Sequence, residues 1–258
     1  LRRKSIFAAI LFSVVVIPVI GCVPKKACDY MLEVEWGRAT VLRESYNNVL
    51  RKPTPEEASE LRATINTCKH FTSEFDLTGG PGGADEVWGT ATLINLAVEL
   101  DDVLVLDELV SDGHSVSGLP NSLDISTLYI ATYRQMRNAF QWSLKNGVDP
   151  NLADVDGTTP LMLATMSPQD QFASISILLE AGARIDSLDS AGRSALVFAI
   201  RSQQYENAHI LVRAGADVAL ARKAMVTELG NANTDFGVNH IQKAIDFLDH
   251  NFAEIVTD

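Results

Sequence analysis

The chain has 258 residues, with 33 acidic against 21 basic side chains and a formal net charge of −12. That sign argues against a nucleic-acid-binding surface, which needs clustered Lys and Arg to displace counterions from phosphate. Hydrophobic residues make up 47% of the chain, enough for a packed core rather than a disordered polyelectrolyte.

At the start, Arg2, Arg3 and Lys4 precede an apolar run over residues 6–20 that contains Ser13 and Pro18. The run is short for a bilayer span, which takes about 20 apolar residues, and reads as a secretory signal peptide over residues 1–21. It ends Val19-Ile20-Gly21-Cys22, which resembles the bacterial lipobox. The resemblance implies cleavage after Gly21 and lipidation of the Cys22 thiol. Each buried acyl CH₂ adds about 0.8 kcal/mol, so several chains hold a protein on a membrane. Val23, in place of Asp, implies the outer membrane, and the chain is expected to face the periplasm.

The next region, residues 22–84, reads as a tether, a helical hairpin that caps the fold, and a glycine-rich linker. Val41, Leu42, Tyr46, Val49 and Leu50 mark one helical stripe, and Ala58, Leu61, Ile65 and Cys68 mark another. Lys52-Pro53 turns between them, and Thr54-Pro-Glu-Glu57 has the form of a capping box. Besides Cys22 there are two cysteines, Cys28 and Cys68. An even pair in an oxidising compartment reads as a disulfide, with Gly37 as the break that lets the chain fold back; the alternative is two free thiols, with Cys68 a small core residue. Residues 79–83, Gly-Gly-Pro-Gly-Gly, lack the Lys-Ser/Thr ending of a phosphate-binding loop. With no strand expected after them, they read as a linker.

From here the chain repeats. Gly113, Gly147, Gly182 and Gly215 are spaced by 34, 35 and 33 residues, and each closes a similar phrase, such as Leu178-Leu-Glu-Ala-Gly182-Ala-Arg-Ile-Asp. A second phrase, Asp154-Val-Asp-Gly157-Thr-Thr-Pro160-Leu-Met-Leu-Ala164, returns as Asp189-Ser-Ala-Gly192-Arg-Ser-Ala195-Leu-Val-Phe-Ala199. Self-similarity at this period is the mark of a stacked-repeat architecture. Thr159 is placed to cap a helix that starts at Pro160, where a missing N–H costs nothing. These phrases resemble the ankyrin repeat. Two weaker copies align through Leu128, Ala131 and Leu144 before Gly147, and through Leu96, Ala97 and Val103 before Gly113.

The resemblance implies an all-α solenoid of about four repeats over residues 85–221. It departs from the family at the usual first-helix His, where this chain has Asn95, Tyr129, Met162 and Val197. That implies loss of a hydrogen bond that commonly ties adjacent turns. Repeat three also carries two extra residues around Ser167-Pro168-Gln169. Residues 222–258 read as a C-terminal cap, because a solenoid's open end must be covered. Its helix is expected from about Asn239 to Ile255, with Ile241, Ile245, Leu248, Phe252 and Ile255 buried.

No residue set points to catalysis. His114-Ser115 lies in Gly113-His-Ser-Val-Ser-Gly118, which misses the Gly-x-Ser-x-Gly spacing of a nucleophile elbow. The histidines at 70, 114, 209, 240 and 250 show no zinc-type spacing, so neither a metal nor a cofactor is expected. Between His70 and Tyr133 there is no Lys or Arg, and eleven acidic residues fall in that stretch. Asp101, Asp102, Asp107 and Glu108 would then offer an acidic patch to a partner with a basic surface. In ankyrin proteins, turn tips and the exposed face of the first helix contact partners. Carried over by position, those slots hold Trp88, Glu99, Ser122, Tyr133, Arg134, Val155, Asp156, Thr158, Ser190, Arg193 and Arg201.

The expected function is an envelope-anchored protein-binding module. The resemblance to bacterial ankyrin lipoproteins implies an inhibitor or immunity protein against a periplasm-acting toxin, such as a type VI secretion lipase effector. The alternative is a structural scaffold in an envelope complex without inhibitory activity. A hydrolase has only Ser115 and scattered histidines to stand on.

Overall fold

The helices of the repeats, six to nine residues each, are too short to be stable alone and are held by stacking against their neighbours. The computed structural model describes residues 54–68, 74–78, 87–117, 125–167, 173–232 and 234–252. The lipobox with Cys22, the first helical stripe, Cys28 and the extra loop residues after Ser167 lie outside these.

Helix α1 (Pro55–Cys68) opens the described chain. Its stripe is as the sequence predicts, with Leu61, Ile65 and Cys68 buried. It is followed by an antiparallel pair, β1 (Glu74–Thr78) and β2 (Val87–Thr92), in register from Glu74 opposite Thr92 to Thr78 opposite Val87, with an irregularity at Leu77/Thr78. This corrects the expectation that no strand follows the glycine run: residues 79–83, themselves outside the described residues, fall between the two paired strands. The strand signal was present in Val87-Trp-Gly-Thr-Ala-Thr92, whose Val, Trp and Thr favour extended backbone.

Four helix pairs then stack. They are α2 (Leu93–Val98) with α3 (Val103–Ser111), α4 (Thr127–Arg134) with α5 (Arg137–Lys145), α6 (Pro160–Thr165) with α7 (Ser174–Glu180), and α8 (Ala195–Arg201) with α9 (Tyr205–Arg213). First helices pack in a row, α1 on α2, α2 on α4, α4 on α6, α6 on α8, and α8 on the following α10 (Val218–Asn231). Second helices make a parallel row, α3 on α5 and α7 on α9. The solenoid is helical, as expected, with the small hairpin added at its entry. One continuous core runs through it, from Leu61 in α1 through Phe140, Ile175 and Leu211 to Leu248.

The sequence dictates the joints. Thr159 caps α6 through its hydroxyl, which accepts the Met162 amide, and Pro160 takes the first helical position. After each second helix the chain turns at a glycine with φ between 81° and 96°, at Gly113, Gly147, Gly182 and Gly215. A side chain there would meet the following carbonyl, so a glycine stops the helix at no steric cost. Between the two helices of each pair the chain also turns left-handed, but at Asp101, Gln135, Ala173 and Gln203, with φ of 52° to 59°.

The C-terminal end differs in detail from the sequence reading. Asp217 caps an additional helix, α10, and the last helix, α11 (Asp235–Asn251), starts at Thr234, whose hydroxyl accepts the Gly237 amide. Ile241, Ile245, Leu248 and Phe252 are buried as the stripe predicts; Ile255 lies outside the described residues. Phe247 stacks on Tyr205 with ring centroids 4.3 Å apart, and His209 meets Phe252 edge-on at 5.1 Å, closing the end of repeat four. Among the described residues no helix is long and apolar enough to cross a membrane.

Candidate protein-binding face

The turns between repeats project as fingers, and their backbones fix one another. Ser190 donates its amide to the Asp156 carbonyl at 2.8 Å, joining the third and fourth fingers. They approach so closely that a Cβ on Gly157 (φ 78°) would lie 3.2 Å from the Asp189 Cα. Lower on the same fingers, Asn151 accepts the Arg184 amide and donates to the Gly182 carbonyl. One repeat later Asp186 accepts the Asp217 amide at 3.0 Å. Each finger is also braced within itself: Asp154 Oδ1 accepts the amides of Asp156 and Thr158, and Asp189 Oδ1 those of Ala191 and Arg193.

Against this rigid frame, the residues at the tips and along the first helices form a face. Val155 is 61% exposed at a finger tip, with Leu152 and Leu188 exposed nearby on their fingers and Met166 exposed at the end of α6. Leu163 and Phe198, which share one repeat position, are half-buried, as are Tyr133 and Arg201, which share that of Met166. Val155 is one of the slots expected from repeat position, whereas Leu163, Met166, Leu188 and Phe198 are not among them. For Leu163 and Phe198 the signal was a large apolar residue at the same place in successive repeats; Met166, which Arg201 replaces one repeat on, and Leu188, which aligns with Ala153, carried no such signal.

The predicted contact residues fall into two groups. Asp156 and Thr158 on the third finger, Tyr133 on α4, and Arg193 and Arg201 of repeat four lie on or beside this face, exposed or half-buried. Glu99 and Arg134 do not. They form an ion pair at 2.8 Å with side chains only 7% and 9% exposed, tying α2 to α4. The same is true of most of the acidic patch. Asp101 Oδ1 accepts the Ala139 amide, and Asp102 caps α3 through Leu104 while pairing with Arg62 of α1 at 2.5 Å. Asp107 Oδ1 accepts the Trp142 indole N–H at 2.7 Å. These carboxylates join repeat one to its neighbours. Glu108 is exposed on α3; Ser122 and the Trp88 side chain lie outside what the structure describes.

The expected loss of the inter-turn tie is corrected at two of its four positions. Asn95 Nδ2 donates to the Ile125 carbonyl at 3.0 Å, and the Tyr129 hydroxyl donates to Asp154 Oδ2 at 2.6 Å. Both reach the next turn with a different donor. At Met162 the sulfur instead accepts the Thr159 amide, and Val197 offers no donor.

Residues 128–222 match the family model for ankyrin repeats, in three copies. These residues are ankyrin repeats. They span α4 to α9 and the start of α10, and α2 with α3 continues the same stack ahead of them. A search of curated proteins finds no significant match. Ankyrin repeats indicate a protein–protein interaction module. Among the described residues no group of His, Cys, Asp and Glu is arranged to hold a metal ion.

Proposed function

We propose that the chain is a lipid-anchored protein of the bacterial envelope that binds another protein on the finger and first-helix face of its ankyrin repeats. The observation that carries this is the exposed apolar set of Val155, Leu152 and Leu188 on fingers that hydrogen-bond to one another, with Met166 beside them at the end of α6. Apolar tips on a rigid frame favour binding because little conformational entropy is lost on contact. The partner sits here and not on the acidic stretch, since Glu99, Asp101, Asp102 and Asp107 already have protein partners.

The lipobox-like Val19-Ile20-Gly21-Cys22 supports the anchor and a periplasm-facing address in the outer membrane. A disulfide between Cys28 and Cys68 belongs to the same reading. Cys68 is fully buried at the end of α1, where a bridge is shielded from reductants, and an oxidising compartment preserves such bonds. Mass mapping of an acylated Cys22 peptide and of a non-reduced Cys28–Cys68 peptide checks both; a free Cys28 thiol sinks the bridge.

In its specific form the bound protein is a toxin acting in the periplasm, such as a lipase effector of type VI secretion, and binding blocks it. The test uses the full acylated chain as bait for periplasmic proteins, alongside a strain that lacks it. A bound toxin, and new sensitivity to neighbouring cells, supports immunity. Loss of an envelope assembly without new sensitivity makes the chain a scaffold, and recovery of no stoichiometric partner removes the binding reading.

A further inference from the structure

Repeat four carries arginine at two face positions where its predecessor does not. Arg193 stands where Thr158 stands in repeat three, and Arg201 where Met166 stands. Arg193 lays one edge of its guanidinium, Nε and Nη2, on Asp189 Oδ2 at 2.7 and 2.6 Å. The Asp189 side chain is fully buried and its other oxygen is held by two backbone amides, so this anchor does not move. The Phe198 ring lies under the same guanidinium, 4.8 Å from its carbon. Clamped along one edge and one face, Arg193 keeps its outer edge of Nη1 and Nη2 hydrogens clear of any partner among the described residues, with the side chain 31% exposed.

Arg201 is held in an equivalent way from the cap. Its Nη1 pairs with Glu228 Oε1 of α10, and its backbone carbonyl accepts from His240 Nε2 of α11 at 3.1 Å. The Nε–Nη2 edge has no partner among the described residues, and the side chain is 32% exposed. Phe198 and Arg201 are three residues apart on α8 and so share a helix face. The order along that face is therefore Arg193, Phe198, Arg201.

We propose that this row is a carboxylate clamp, and that the partner presents to repeat four an acidic segment flanked by apolar side chains. This rests on the protein-binding function proposed above and names the partner's chemistry at the same face. Each guanidinium retains two roughly parallel N–H donors, the fork that matches a carboxylate. Asp189 and Glu228 orient the forks before any partner arrives, which lowers the ordering cost of binding. Those two acids also balance the two cations, so recognition comes from donor geometry more than from net charge. Met166 and Val155 supply the apolar flank on the preceding repeat.

The test uses immobilised short peptides of alternating Leu and Glu, with matched Leu/Gln and Leu/Lys series, against the full chain. The Glu series is expected to bind about tenfold more tightly than the Gln series, with the Lys series weakest. Arg201→Gln, and separately Arg193→Lys, should erase the Glu-over-Gln preference. The second variant keeps a cation for Asp189, so the finger stays folded, as an unchanged melting temperature would show. Equal binding of Glu and Gln peptides, preference for Lys peptides, or a Glu preference that survives both variants overturns the clamp. Any of these alongside captured periplasmic protein leaves the binding function standing, whereas absence of captured protein with the peptide preference intact removes that function alone.

Discussion

The phenol of Tyr129 donates to the carboxylate of Asp154, 25 residues further on, at 2.6 Å. That bond ties the first helix of one repeat to the finger of the next, and it works because the other Asp154 oxygen is fixed by the Asp156 and Thr158 amides. Removing the hydroxyl leaves one Asp154 oxygen without its charge-assisted donor. Tyr129→Phe is expected to lower stability by about 1–2 kcal/mol, measured by denaturant titration, with the slope of the transition unchanged.

The Glu99–Arg134 pair gives a sharper thermodynamic contrast, because both side chains are almost wholly buried. Glu99→Leu alone takes the carboxylate away from a buried guanidinium and should cost about 3–5 kcal/mol. Combining Glu99→Leu with Arg134→Met removes both charges, and most of the lost stability should return. A double variant as unstable as the sum of the two single ones would show that the pair is not an isolated buried ion pair.

Two residues in the same repeat slot should respond differently to the same change. Thr159 caps α6 through its hydroxyl, whereas the Ser194 hydroxyl at the start of α8 is buried and has no hydrogen-bond partner among the described residues. Thr159→Ala should cost about 1 kcal/mol. Ser194→Ala should be close to neutral, since it deletes a desolvated group that gains nothing. Thermal denaturation of the two variants side by side decides it.

The cap supplies a pH effect with a definite sign. Arg222 bonds both oxygens of Asp249, and that hydrogen bonding holds the Asp249 carboxyl below its ordinary value. A carboxyl depressed by folding contributes stability above its unfolded pKa, near 3.9, and loses that contribution as pH falls through the folded value. The pair is exposed, so the effect is small. The parent chain should melt slightly above Asp249→Asn at neutral pH, and the gap should close below about pH 4.

The scaffold is written plainly in the sequence because its determinants are local. A glycine that must take positive φ, a Thr-Pro helix start and a 3.6-residue apolar stripe each act within a few residues of themselves, and all fell where Gly182, Thr159 and Ile175 place them. What the sequence concealed depends on partners a repeat away. Asn95 and Tyr129 read as substitutions that lose a tie, although an amide and a phenol reach the next turn as well. Asp101, Asp102 and Asp107 read as free surface charge because nothing local announces Ala139, Arg62 or Trp142 as their partners. The strand β2 was masked by the glycines just before it, which carry a linker's composition. On the face itself, Arg193 and Arg201 were legible as contact residues by position, whereas their orientation by Asp189, Phe198 and Glu228 required the fold.

The most direct measurement of where the partner binds compares two surface variants of the full chain in capture of periplasmic protein. One carries Val155→Asp and Met166→Asp on the ankyrin face; the other carries Glu108→Gln and Asp112→Asn on the acidic segment. All four side chains are exposed, so both variants should fold. The face variant is expected to lose the partner and the acidic-segment variant to keep it. Capture that survives the first and is lost with the second would contradict the account.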